Sequence, residues 1–139
     1  MTISNWRVKK WGPTWSFCHD WSAAPTYFLP AEILGVKLAK PGWEEILIHP
    51  HPLDLQWAKG VVPIPVGNVL VEWKSDESFD VTVKIPTKAR IAVPLRPKGL
   101  LLVNGERDRL PIEMSRLENE GWHAHFRIDE NGTYHFSSR

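Results

Sequence analysis

The chain has 139 residues, 42% of them apolar, and a formal net charge of +1 with acidic and basic residues mixed along its length. This composition excludes global disorder and suits one ordinary domain with a real core, and no basic stripe or membrane-length apolar run predicts a nucleic-acid or membrane partner. The single cysteine, Cys18, excludes an intrachain disulfide framework, and the N-terminus lacks the apolar core of a signal peptide. We therefore expect a cytoplasmic protein.

A helix is predicted from Ser22 to Leu34, after an N-terminal stretch rich in tryptophan that is expected to form a loop or frayed helix. Ser22 is suited to cap this helix, Pro25 fits its first turn, and Gly35 is a natural stop. Apolar residues recur along it at helical spacing: Tyr27, Phe28, Ala31 and Leu34. Pro30 predicts a kink or a fresh helical start, because a proline removes one helical hydrogen bond.

After Gly35 the apolar period changes from helical to two, which predicts strands. The predicted strands are 44–50, 68–75, 78–86, 89–95, 99–105, 121–129 and 133–137. The inward-facing residues are expected to include Ile46, Ile48, Val69, Val71, Trp73, Phe79, Val81, Val83, Ile85, Trp122, Ala124, Phe126, Ile128, Tyr134 and Phe136. About eight short strands joined by proline and glycine turns predict a mainly β fold, an antiparallel jelly-roll-like sandwich.

Two connections follow from the same pattern. Residues 130–132, Glu-Asn-Gly, suit a three-residue hairpin that would pair Ile128 with Tyr134 and Phe126 with Phe136. Residues 106–120 are charged and weakly patterned, so we expect a loop with a short edge strand there.

The segment Cys18-His19-Asp20 combines residue types found in active sites. Nucleophilic catalysis is disfavoured, because adjacent side chains project in different directions, and Cys18 is better read as a small buried group. His19 has two interpretations, since among Trp15 and Trp21 it could donate to a sugar hydroxyl or be a structural histidine with a protein partner.

Other histidines raise the question of a metal site. His123, His125 and His135 should share the face opposite the aromatic core, where three imidazoles could bind zinc. No carboxylate follows at matching spacing, so a solvated strand face is preferred and we predict no metal and no cofactor. His49 and His51 alternate with prolines at a strand end and are expected to be exposed.

Cleavage of a glycosidic bond would need two carboxylates that converge in an aromatic cleft. The candidates near the tryptophan-rich segment are Asp20, Glu32, Glu44 and Glu45. Only Asp20 lies within the aromatic cluster, so these residues supply no convincing pair and we assign no catalytic residue.

Three ordered groups of residues carry a family resemblance. The first contains Ser16, Cys18, His19, Trp21, Ser22 and Ala23; the second Leu34, Gly35, Val36, Pro41 and Gly42; the third Leu55, Trp57, Ala58, Gly60, Val62, Pro63, Pro65, Gly67, Val71 and Trp73. Together, residues 16–74 resemble the C-terminal region of bacterial α-L-rhamnosidases of glycoside hydrolase family 78. In that family the first group closes an (α/α)6 barrel, the second is a connector, and the third begins a C-terminal β-sandwich.

The resemblance implies a terminal barrel segment at residues 1–38 and a C-terminal sandwich at residues 39–139. The family hydrolyses terminal α-L-rhamnose with inversion, and most of the barrel that does so would lie outside this chain. The family's base is usually a glutamate in Thr-x-Trp-Glu; the nearest counterpart here is TISNW, where Thr2 matches but Ser4 and Asn5 replace the last two residues. Asparagine cannot accept a proton near neutral pH, so this position supplies no base. Because most of the catalytic barrel is missing as well, the chain alone is expected to be inactive.

The resemblance also identifies candidate substrate contacts and partners. It assigns sugar binding to His19, and the surrounding Trp15, Asp20 and Trp21 complete the predicted substrate-binding set, which needs the missing barrel. The expected partners are a rhamnose-containing glycan, a separately encoded barrel fragment, or a second copy of the chain. The helix's aromatic stripe is expected either to pack on the sandwich or to be buried in a dimer contact. A carbohydrate-binding or interaction module with exposed tryptophans is the alternative.

Overall fold

The computed structural model describes residues 24–97, 100–107 and 113–139. The described helical elements are the α-helix α1 (Ala24–Phe28), a π-helical turn (Leu29–Ile33) and a 3-10 turn (Pro41–Trp43). The described strands are β1 (Val36–Leu38), β2 (Glu45–Ile48), β3 (Trp57–Ile64), β4 (Gly67–Ser75), β5 (Phe79–Ile85), β6 (Lys88–Pro94), β7 (Leu101–Val103), β8 (Glu113–Leu117), β9 (Gly121–Ile128) and β10 (Gly132–Ser138).

Within these ranges the strands form two five-stranded sheets. Sheet I has the order β1-β2-β6-β9-β8, and sheet II has the order β3-β4-β5-β10-β7. Their apolar residues form one hydrophobic core, so the predicted mainly β sandwich is confirmed. The boundary proposed between residues 38 and 39 stays a prediction.

The core comes from the alternating residues of both sheets. All the inward-facing residues predicted for β2, β4 and β5 are buried, including Trp73 and Phe79, whose rings stack at a centroid distance of 6.1 Å. Trp122 was expected to join this face but is 51% exposed. The ladder between β6 and β9 ends at the pair Pro94–His123, so Trp122 lies just beyond it, where its carbonyl accepts from the Leu95 amide at 2.8 Å and its partner in the ladder is Arg116 of the edge strand β8.

The predicted hairpin between residues 128 and 134 is wrong. β9 pairs with β6 and β8 in sheet I, whereas β10 pairs with β5 and β7 in sheet II. The segment between them therefore crosses from one sheet to the other. Phe126 and Phe136 still meet, but they do so across the core, with ring centroids 5.0 Å apart. An alternating pattern shows which side chains of a strand face the core, but it does not show which other strand is its hydrogen-bonded neighbour. The hairpin was therefore predicted between two strands that share a core but belong to different sheets.

One strand pair departs from the antiparallel arrangement of the sandwich. β2 and β6 are parallel, with Ile48 opposite Ile91, while the other described strand pairs are antiparallel. The edge strand expected within 106–120 is present as β8. Neither β1 nor β3 was predicted from the sequence. β3 contains Gly60 and Pro63, residues that weaken a strand pattern but are tolerated on an edge strand such as this one.

The helical segment is joined firmly to the sandwich at its C-terminal end. The α-helix changes to a π turn that contains Pro30, in line with the predicted kink, and Gly35 follows in the left-handed region at φ 76°. Trp73 Nε1 donates a hydrogen bond to the Ile33 carbonyl at 2.9 Å, and Leu34 is buried in the core. No helix among the described residues has the length and apolarity needed to cross a bilayer.

The apolar stripe of this segment is divided between core and surface. Ala31 and Leu34 are buried, but Tyr27 and Phe28 are 71% and 57% exposed, and Leu29 beside them is exposed as well. Of the two outcomes expected for this stripe, packing on the sandwich is therefore confirmed for Leu34. Tyr27 and Phe28 do not pack on the sandwich.

Candidate functional site

The sugar-binding residues predicted from the sequence are Trp15, His19, Asp20 and Trp21, and all of them lie outside the described residues. The same is true of Cys18 and of the segment that contains Asn5. These assignments stay predictions.

A group of polar side chains converges at one end of sheet I. We call it the histidine–glutamate cluster, and it consists of His49, His51, Glu120 and His123. The parallel pairing of β2 with β6 brings the cluster together. It places the C-terminal end of β2 beside the C-terminal end of β6, and the antiparallel β9 begins at that same end, with Pro94 of β6 opposite His123.

Glu120 lies at the centre of the cluster and uses its two carboxylate oxygens differently. Oε1 lies 2.9 Å from His51 Nδ1, a hydrogen bond in which the imidazole N–H donates. Oε2 lies 3.5 Å from His49 Nε2 and 3.7 Å from His123 Nε2. One carboxylate therefore faces three imidazoles.

The imidazoles also contact one another. The ring of His49 lies 4.4 Å from that of His51 and 4.8 Å from that of His123, measured between centroids. His123 Nδ1 lies 3.3 Å from the Gly121 carbonyl oxygen. A carbonyl oxygen only accepts, so Nδ1 carries the proton and Nε2 keeps its lone pair directed at Glu120.

Burial keeps these histidines neutral. The His123 side chain is 1% exposed and that of His49 is 15% exposed. Burial, followed by repulsion from His51 and His123, lowers the pKa of His49 to about 4, and burial likewise lowers the pKa of His123. Both imidazoles are therefore uncharged near pH 7, which is the form that binds metals. The ligand atoms of His49, Glu120 and His123 all lie within 4.8 Å of one another, so these residues could hold a metal ion.

An open cleft adjoins the cluster. It has a volume of about 220 Å³, and Glu120 and His123 form part of its wall together with Leu53, Arg96 and Asn119. The Arg96 guanidinium is held in place, since its Nη2 donates to Ser75 Oγ at 2.7 Å. A small molecule in this cleft would meet both the cluster and a fixed cation.

This cluster was not predicted from the sequence. His49 and His51 were expected to be exposed, but their side chains are only 15% and 18% exposed. His123 was expected to share a solvated face with His125 and His135. In the structure His123 is buried, His125 bonds Ser115 Oγ at 2.7 Å, and His135 lies in the other sheet, 3.8 Å from Asp80. No local spacing signals the cluster, because His51 and Glu120 are 69 positions apart.

Two of the carboxylates considered for glycosidic chemistry have structural partners. Glu32 pairs with Lys37 at 3.0 Å, and Glu45, whose side chain is 3% exposed, pairs with Lys40 at 2.8 Å and Arg90 at 2.6 Å. The ammonium of Lys40 and the guanidinium of Arg90 lower the pKa of Glu45, so it stays ionised and is unsuited to donate a proton near pH 7.

Exposed aromatic rings offer a different kind of surface. Trp122 is 51% exposed and lines an apolar groove with Met114 and Leu95, while Trp57, at the start of β3, is 66% exposed. Flat exposed indole rings can stack on the apolar face of a sugar.

Comparison with known proteins supplies the family. A family model described as the bacterial alpha-L-rhamnosidase C-terminal domain matches residues 35–108, more than half of the chain. The structure is similar to alpha-L-rhamnosidase from Streptomyces avermitilis, complexed with L-rhamnose, with a TM-score of 0.62 and 18% identity over 81% of this chain and 10% of the other. It is also similar to alpha-L-rhamnosidase from Dictyoglumus thermophilum, with a TM-score of 0.59 and 28% identity over 79% of this chain and 13% of the other. No curated protein matches the sequence.

Proposed function

Because the chain belongs to the bacterial alpha-L-rhamnosidase C-terminal domain family, we propose that it acts as the C-terminal β-sandwich of an α-L-rhamnosidase and hydrolyses no rhamnoside by itself. The proposal that the chain is inactive alone is supported by its length relative to complete rhamnosidases. The chain spans 10% and 13% of the two rhamnosidase structures that it resembles. Most of such an enzyme is therefore outside this chain, and an inverting hydrolysis needs two opposed carboxylates around one bond.

The observation that carries the proposal is the exposed apolar surface of the helical segment. Tyr27, Phe28 and Leu29 are 71%, 57% and 58% exposed. Adjacent exposed apolar side chains of this size indicate an interaction surface. We assign it to the catalytic barrel of an α-L-rhamnosidase, on the same polypeptide or on another.

The way in which this surface is held agrees with such a role. Leu34 is buried and the Ile33 carbonyl accepts a hydrogen bond from the buried Trp73, so the end of the segment is fixed to the core. Lys37 and Glu32 form an ion pair across the junction at 3.0 Å. A partner would therefore meet a surface that is already ordered, which reduces the entropic cost of binding.

The proposed substrate is a glycan with terminal α-L-rhamnose, bound by the complete enzyme. In this proposal His19, Asp20, Trp15 and Trp21 would form one wall of the sugar site, as the resemblance implies. The sandwich would support that wall, and the acid and base would come from the barrel.

Two measurements test the proposal. The isolated chain should show no turnover of an aryl α-L-rhamnoside, and co-expression with the catalytic barrel of an α-L-rhamnosidase that lacks its own C-terminal sandwich should yield a stable complex. Serine at Tyr27 and Phe28 should weaken that complex at least tenfold, whereas serine at Trp57, equally exposed but on β3, should leave it unchanged. Turnover by the isolated chain that disappears in His19→Ala or Asp20→Asn would overturn the proposal.

A second candidate function, carbohydrate binding by the sandwich itself, is favoured by the exposed Trp122 and its apolar groove. Titration with rhamnose-containing glycans should then change the tryptophan fluorescence, and Trp122→Ala should abolish the change. An unaltered signal at millimolar sugar would exclude this candidate.

A further inference from the structure

We propose that His49, Glu120 and His123 bind a divalent transition-metal ion such as Zn²⁺, and that His51 orients the carboxylate that takes part. This inference concerns one end of sheet I and does not depend on the proposed rhamnosidase role.

The spacing of the three donor atoms suits a tetrahedral ion. Zinc bonds of about 2.1 Å to nitrogen and oxygen place neighbouring ligand atoms about 3.4 Å apart. Glu120 Oε2 lies 3.5 Å from His49 Nε2 and 3.7 Å from His123 Nε2, so two edges of the tetrahedron are within a few tenths of an ångström of that value. All three ligand atoms lie within 4.8 Å of one another. Small rotations of the His49 and His123 side chains would shorten the third edge, between their two nitrogens, to the same value.

The arrangement places electron pairs opposite one another. His123 Nδ1 carries its proton because it faces the Gly121 carbonyl, which leaves the lone pair of Nε2 directed at a carboxylate oxygen. His49 Nε2 is buried and forms no hydrogen bond with any described residue. Buried polar atoms normally have partners, and two acceptors that face each other, as His123 Nε2 and Glu120 Oε2 do, need a cation between them.

The surroundings of the three ligands resemble those of known metal sites. A metal-binding imidazole usually donates its second N–H to a carbonyl or carboxylate, and His123 does so with Gly121. Metal-binding carboxylates are hydrogen-bonded in turn, and Glu120 accepts from His51 at 2.9 Å through the oxygen that is turned away from the other two ligands.

Three protein ligands leave a coordination position free. Glu120 and His123 line the cleft that contains Arg96 and Asn119, so a water molecule or a small anion could complete the coordination from that side. Two histidines and one glutamate with an open position form a donor set that zinc uses where it meets exchangeable ligands.

The test uses the full 139-residue chain without an affinity tag, freed of metal by a chelator. Equilibrium dialysis against Zn²⁺ should give about one ion per chain, and Co²⁺ in its place should show the visible absorption of a four-coordinate ion without a thiolate charge-transfer band. Glu120→Gln and His49→Gln should each weaken binding at least tenfold, since each removes a ligand.

The matched control is His135→Gln, which removes a histidine of another histidine–carboxylate pair, on sheet II, and should leave binding unchanged. Because Glu120 is 36% exposed, its change to Gln should not prevent folding, which circular dichroism would verify. A chain that binds no ion, equal binding in both ligand variants and the wild type, or a thiolate band that assigns the ion to Cys18 would each overturn the proposal.

Discussion

The backbones of Gly35 and His49 lie against each other at the junction between the helical segment and sheet I. The His49 amide donates to the Gly35 carbonyl at 2.9 Å, and a Cβ atom on Gly35 would lie 2.0 Å from the His49 carbonyl oxygen. Gly35 also has φ of +76°. The end of the helical segment and the first histidine of the cluster thus share a contact that only glycine permits.

Replacement of Gly35 by alanine should therefore destabilise the fold strongly. The left-handed backbone costs about 1–2 kcal/mol for alanine, and the collision with backbone atoms raises the loss to about 3 kcal/mol or more. Urea denaturation would measure the difference. Gly105→Ala is the matched control, since its φ is +82° but its Cβ would meet no atom within 4 Å; similar losses in the two variants would contradict the role of the contact.

The hydrogen bond from Trp73 to Ile33 should be measurable through Trp73→Phe. The change leaves the Ile33 carbonyl without this donor and a small cavity in the core, so the free energy of unfolding should fall by about 2–3 kcal/mol. Urea denaturation would give the value. Trp57→Phe, at a site 66% exposed, should change stability by less than about 0.5 kcal/mol. A small effect at Trp73 would mean that the anchor contributes little.

Glu45 should make the fold sensitive to acid. Hydrogen bonds and charge from Lys40, together with Arg90, hold its pKa below the ordinary 4.5 in the folded state. A group whose pKa is lower in the folded state binds more protons when unfolded, so its contribution is complete above pH 4.5 and is lost as the pH falls further.

Glu45→Gln should accordingly lower stability at pH 7 by about 1 kcal/mol and make the fall in stability below pH 4.5 less steep. Urea unfolding across a pH series would show this. The same change at Glu32, which pairs with Lys37 in a solvent-exposed position, should alter the profile less. Parallel acid profiles for Glu45→Gln and the wild type would contradict the prediction.

Phe126 and Phe136 should couple energetically although they belong to different sheets. Their rings lie 5.0 Å apart at 46°, and such aromatic pairs contribute about 0.5–1.5 kcal/mol beyond the area they bury. A double-mutant cycle with Phe126→Leu and Phe136→Leu would measure the coupling. Phe126→Leu combined with Tyr27→Leu, whose ring is 71% exposed, serves as the additive reference. Additivity in the first pair would argue against a direct contact.

The interior of the sandwich was largely predictable from local patterns. Val69, Val71 and Trp73 alternate with polar or partly exposed residues, and all three are buried as expected. Pro30 and Gly35 likewise marked the kink and the end of the helical segment. Trp122 shows where such local patterns fail. The alternation places it on the same face as Ala124 and Phe126, but it lies beyond the end of the ladder with β6 and is exposed.

The histidine–glutamate cluster was not predictable in this way. Residues 69 positions apart, such as His51 and Glu120, meet only because β2 runs parallel to β6 and β9 runs back beside it. If β2 were antiparallel to β6, His49 would lie at the opposite end of the sheet from His123. A strand's own sequence carries no signal for that choice, so the structure was needed to identify the candidate site.

The amino-acid sequence by itself determined most of the side chains that face the core, with Trp122 as an exception, because alternation along a strand is a local property of the backbone. It also carried the family, through an ordered series of residues from the helical segment into β4. Only the tertiary structure decided which strands pair, that the segment after β9 crosses to the other sheet, and that three histidines surround Glu120. Those outcomes depend on packing between distant parts of the chain, where many partners satisfy the same local pattern and the complete core selects among them.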